Sequence, residues 1–132
     1  MVPDSVTSLV SDTVNNEDVG SRTFEGCSAL ETVVIGEGLL SITGSAFKSC
    51  TSLKSVVMGS AVTSIEYHAF YGCTSLENVT IGSLERARSP LTIGDGAFAY
   101  DNSLSSLKIA TTNSITILKS NAFEQCPLLL EI

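Results

Sequence analysis

A chain of 132 residues with 43% hydrophobic content can bury one continuous core, while seven Lys and Arg against fourteen Asp and Glu leave a formal charge of −7. That balance excludes binding that rests on neutralising phosphates, whether of nucleic acid or of an anionic membrane surface, because there is no basic stripe to meet them. No apolar run approaches the roughly 20 residues that span a bilayer, so no membrane insertion is expected.

The first 18 residues hold Asp4, Asp12, Glu17 and Asp18, with Leu9, Val10 and Val14 out of step with the rest of the chain. They read as a degenerate N-terminal rung or a leader, since a terminal repeat that caps a core is expected to be atypical. They lack the basic start and apolar centre of a secretory signal. From Val19 to Ile132 one pattern takes over. All five phenylalanines, Phe24, Phe47, Phe70, Phe98 and Phe123, stand 23, 23, 28 and 25 residues apart, and Cys27, Cys50, Cys73 and Cys126 each follow a Phe by three.

The apolar steps around each Phe recur in the same order. Val19, Ile42, Ile65, Ile93 and Leu118 lie five residues before it, and Ala46, Ala69, Ala97 and Ala122 immediately before it, a small residue that leaves room for the ring. Leu30, Leu53, Leu76, Leu104 and Leu129 come six residues after. Segments such as Leu53-x-x-Val56-x-Met58 then end on a period of two, as a short strand with one buried face requires. Gly36, Gly59 and Gly82 close the strands, and the stretch Ile65 to Cys73 reads as a tight turn with one helical or 3₁₀ turn. A period in the twenties makes each repeat one coil of a solenoid, able to bury its apolar face only against its neighbours.

The Leu-x-x-Val-x-Ile strand, the later Ile, then Ala-Phe-x-x-Cys and Leu resemble the BspA-like leucine-rich repeats over Val19 to Ile132. The resemblance implies an α/β-type solenoid of about five repeats. It would be a right-handed coil with a short parallel β-sheet on its concave face and mostly irregular or 3₁₀ convex segments, here a fragment of a longer array. It also implies a cell-surface or extracellular protein that adheres to host or matrix proteins without catalysis.

Reactive chemistry finds little support in the pattern. Zinc ligands arrive as close pairs, whereas these cysteines are 23, 23 and 53 residues apart. Stacked copies of one position lie within reach of a disulfide, about 4.8 Å apart, but buried free thiols are the simpler reading of a small hydrophobe in a crowded corner. Asp101 takes the Cys position in the fourth repeat. The one histidine, His68, shares its slot with Ser45, Gly96 and Asn121, the mark of a solvated turn. Gly94-Asp95-Gly96 is a repeat turn and no phosphate loop, so no cofactor, metal or catalytic group is expected.

The residues free to meet a partner are those between the buried steps of each strand. They are Glu31, Thr32 and Val34, then Lys54, Ser55 and Val57, then Glu77, Asn78 and Thr80, then Ser105, Ser106 and Lys108. Glu31, Lys54 and Glu77 suggest a cross-strand charge ladder. Longer spacings at Ile81 to Ile93 and Ile109 to Leu118 mark insertions on one flank, and the first, Ser83 to Pro90, carries Arg86 and Arg88. Such insertions are binding loops in some repeat arrays and tolerated surface loops in others. Asn78-Val79-Thr80 is a glycosylation acceptor. An alternative to protein binding is self-association through the terminal strands, where Leu128, Leu129, Leu130 and Ile132 have no following rung.

Overall fold

Each repeat supplies one segment whose alternate residues are Val, Ile, Leu or Met, a pattern suited to a pleated surface buried on one side. The computed structural model describes residues 8–11, 22–36, 39–60, 62–82, 91–109 and 116–129. In chain order the strands are β1 (Ser8–Ser11), β2 (Thr32–Ile35), β3 (Ser41–Ile42), β4 (Ser55–Met58), β5 (Ser64–Ile65), β6 (Asn78–Ile81), β7 (Leu91–Ile93), β8 (Ser106–Ile109) and β9 (Thr116–Leu118). They form two parallel sheets, β1-β2-β4-β6-β8 and β3-β5-β7-β9, which the chain visits alternately from β2 onward.

Register follows the repeat. Val33, Val56, Val79 and Leu107 pair into one inward column, and Ile35, Met58, Ile81 and Ile109 into the next. In the second sheet Ile42, Ile65, Ile93 and Leu118 align. Between the sheets the phenyl rings stack into a single file, with centroids 5.1, 5.1, 5.3 and 5.4 Å apart from Phe24 through Phe123. Phe47, Phe70 and Phe98 are fully buried, as are Leu30, Leu53, Leu76 and Leu104. Each such side chain contributes roughly 1.5–3 kcal/mol by leaving water. The ring spacing tracks the inter-strand distance of about 4.8 Å, so the column is a product of the strand stacking.

The turns are stitched between repeats as closely as the strands. The Phe24, Phe47, Phe70 and Phe98 amides donate to the carbonyls of Ala46, Ala69, Ala97 and Ala122, each at 2.8 Å. The segments around each Phe are irregular turns, as expected, but among the described residues there is no helix, 3₁₀ or otherwise, and a second short parallel sheet that was not expected precedes each turn from the second Phe on. The reason lies in two left-handed residues per repeat, two before and two after each Phe. The first set is Arg22, Ser45, His68, Gly96 and Asn121, and the second Gly26, Ser49, Gly72, Tyr100 and Gln125, with φ between 54° and 73°. A helical run cannot pass through such positions. Of the three glycines expected to close strands, only Gly82 needs its freedom, at φ 79°.

At the N-terminal side β1 lies beside β2 with Leu9 opposite Val33. Val14, the insertion Ser83 to Pro90, Leu130 and Ile132 fall outside the described residues.

Candidate functional site

Because the inward columns are fixed, the outward ones are too. Thr32, Ser55, Asn78 and Ser106 form one column on the exposed side of the first sheet, and Val34, Val57, Thr80 and Lys108 a second. Glu31, Lys54, Glu77 and Ser105 form a third, in which the amides of Lys54, Glu77 and Ser105 donate to the preceding carbonyls at 2.8, 2.9 and 3.1 Å. The first two columns therefore lie on one face, and the third, Glu31, Lys54, Glu77 and Ser105, is an exposed row at the entrance to the strands. Val57, 43% exposed, is the most open apolar side chain of that face. Glu31, Lys54 and Glu77 are exposed neighbours of alternating charge. The one salt bridge among the described residues joins Arg22 to Glu25 at 3.3 Å, so the column is a row of solvated charges without ion pairing. Arg86 and Arg88 lie outside the described residues.

The four cysteines are free thiols. The Cys50, Cys73 and Cys126 thiols donate to the carbonyls of Phe24, Phe47 and Phe98, one repeat back, at 3.1, 3.2 and 3.1 Å. Cysteine thus fills the corner as a small apolar group and satisfies a buried carbonyl. Asp101 occupies the same corner without solvent exposure. Its Oδ1 accepts the Cys73 amide at 2.8 Å, while Oδ2 has no partner. Burial pushes its pKa up to about 9, opposed by the Cys73 amide, so at neutral pH it is a protonated carboxyl. No group of three or more His, Cys, Asp or Glu among the described residues is arranged to hold a metal ion.

A further cluster was not read from the sequence. Tyr67, His68 and Tyr71 of one repeat and Tyr100 of the next converge on the turn edge. Their centroids are 3.8 Å apart from Tyr67 to His68, 4.4 Å from His68 to Tyr71 and 5.2 Å from Tyr71 to Tyr100. Lys48, from the preceding repeat, holds its Nζ 5.3 Å from the Tyr71 centroid. Tyr67 and Tyr100 are 56% and 39% exposed. His68 is thus no plain solvated turn residue: its ring is half-buried between two tyrosines and lies where a Cβ on Gly96 would come within 2.6 Å. Burial first, and then the Lys48 charge, lower its pKa, with Asp95 opposing. The readable signal was that these residues sit three before, two before, one after and two after consecutive Phe residues, positions that stacking brings together.

Two crystal structures resemble this fold. A leucine rich cell surface protein of Faecalibacterium prausnitzii aligns at TM-score 0.52 and 23% identity, over 92% of this chain and 45% of that one. A leucine-rich repeat protein of Bacteroides ovatus aligns at TM-score 0.57 and 19% identity, over 98% of this chain and 45% of that one. At these identities the likeness is one of fold, and the chain spans less than half the length of either protein. No curated protein matches the sequence. The BspA type leucine rich repeat region matches residues 17–132 in six copies. The chain belongs to the BspA-type leucine-rich-repeat family.

Proposed function

We propose that the chain is a non-catalytic protein-binding module of a surface or secreted leucine-rich-repeat protein, which adheres to host or matrix proteins through the outward side of the first sheet. The observation that carries this reading is the in-register alignment of β2, β4, β6 and β8, which holds two outward columns at fixed spacing. The name of the Faecalibacterium prausnitzii relative in fold, a cell surface protein, supports the location. The face holds no Trp, Tyr or Arg, the residues that usually dominate binding energy. Modest contacts multiplied along an array suit it better than one tight site.

The test is retention on immobilised collagen and laminin of the wild type beside Lys54→Glu/Val57→Asp, with Arg86→Glu/Arg88→Glu in parallel for the insertion. Retention should fall at least about tenfold in the strand double variant, the effect of losing about 1.4 kcal/mol. Equal retention of wild type and strand variant would refute the assignment of that face. A second reading is end-to-end association of copies through the exposed apolar side chains Ile117, Leu118 and Leu128. A mass that stays monomeric as concentration rises would dismiss it.

A further inference from the structure

The aromatic cluster on the turn edge calls for an explanation that packing does not supply. The core is closed by Phe, Leu, Ile, Val, Met, Ala and Cys side chains without any of the tyrosines. Two of the four rings also sit on unfavourable backbone. His68 at φ 54° and Tyr100 at φ 63° are left-handed, as those slots are around every Phe, where they hold Ser45 and Gly96 beside the first and Gly72 and Gln125 beside the second. Glycine adopts that conformation freely, whereas a bulky ring does so at a cost.

We infer that Tyr67, His68, Tyr71 and Tyr100 form a stacking platform for a neutral oligosaccharide. Four ligand classes lie well on aromatic rings: nucleobases, cations, prolines and the C–H faces of sugar rings. A nucleic acid is opposed by the −7 charge of the chain. A cationic ligand is opposed by Lys48, whose Nζ already stands 5.3 Å from the Tyr71 centroid. A proline-rich segment offers carbonyl acceptors and few donors, and it would meet the Asp95 carboxylate, which is near enough to act on His68. A pyranose meets all the terms: one apolar face for the rings, and hydroxyls that both donate and accept around them. Tyrosine hydroxyls, a neutral imidazole, the Lys48 ammonium and the Asp95 carboxylate offer both complements. This site is on the turn edge and is independent of the protein-binding face of the first sheet.

The chain supplies its own reporter. It has no Trp, and its three tyrosines are all in the platform, so intrinsic fluorescence reads this site alone. Cellohexaose, xylohexaose, mannohexaose and chitohexaose are titrated separately, with a proline decamer as a further arm, and calorimetry repeats any binding in the variants. At least one oligosaccharide should give a saturable change. Its affinity should fall about tenfold or more in Tyr67→Ala and in Tyr100→Gly, the scale of one aromatic contact. Tyr100→Gly should keep or raise the unfolding midpoint while losing affinity, a separation that a purely structural tyrosine would not produce. If that variant fails to fold, Tyr67→Ala decides, since Tyr67 is the more exposed ring. Saturation by none of the four sugars, equal affinity in Tyr67→Ala, or binding of the proline decamer alone would overturn the inference.

Discussion

Replacing Asp101 should make the protein more stable, and by an amount that depends on pH. In the folded chain its carboxyl is fully buried with a pKa raised to about 9, mainly by burial; in the unfolded chain it titrates near the ordinary value of about 3.9. Between those values the folded state holds a proton that the unfolded state releases, so stability falls as pH rises from about 4 to about 9 and is flat outside that window. The slope is at most about 1.4 kcal/mol per pH unit, which sets a ceiling of about 4 kcal/mol at pH 7, a large share of the 5–15 kcal/mol typical of a whole domain. Asp101→Asn keeps an oxygen for the Cys73 amide and removes the titration. Asp101→Cys restores the group found in the other repeats, with the Phe70 carbonyl placed to receive its thiol. Urea unfolding of the three proteins from pH 4.5 to pH 8.5 reads the difference directly. The gap between wild type and either variant should be small at the acid end and widen steadily toward neutrality. A gap that does not change with pH, or a wild type more stable at pH 7, would refute the account of a protonated buried acid.

Truncating Phe70 to Ala at the centre of the ring column should cost about 3–5 kcal/mol, while Glu77→Ala on the exposed face should cost less than about 0.5 kcal/mol, both by chemical denaturation. Gly94→Ala should cost about 1–3 kcal/mol, as overpacking does, because its Cβ would lie 2.8 Å from the Glu66 backbone carbon and 2.9 Å from the Tyr67 amide nitrogen. Gly44→Ala, at 3.4 Å from its nearest atom, should be far milder. Burial pushes the Cys126 thiol up to about 11, so its labelling by a disulfide reagent should be slow at pH 8 and quicken about tenfold per pH unit up to pH 10, in step with the thiolate fraction.

The ring column and the first sheet were legible because both depend on spacing alone. Five Phe residues in one position and the Leu-x-x-Val-x-Ile steps require parallel strands in register, and the outward columns follow by alternation. The second sheet was not, because strands as short as Ser41–Ile42 and Ser64–Ile65 show no alternation over two residues. Their pairing depends on hydrogen bonds between repeats, such as Glu66 to the Ile42 carbonyl at 2.8 Å. The left-handed pairs were hidden for a related reason: Ser, His, Tyr, Asn, Gln and Arg share those slots with Gly, so composition did not single them out. The aromatic platform is hidden because its members occupy different slots of the repeat. Slot by slot, His68 is matched with Ser45 and Gly96, whereas stacking sets it beside the tyrosines.

The step from Phe70 to Phe98 is 28 residues where the one before it is 23, yet the ring gap grows only from 5.1 to 5.3 Å and Ile65 still faces Ile93. Extra length entering between β6 and β7 therefore leaves the scaffold's periodicity untouched. That junction is a natural port for grafting: a foreign peptide spliced there should be displayed without disturbing the coils on either side.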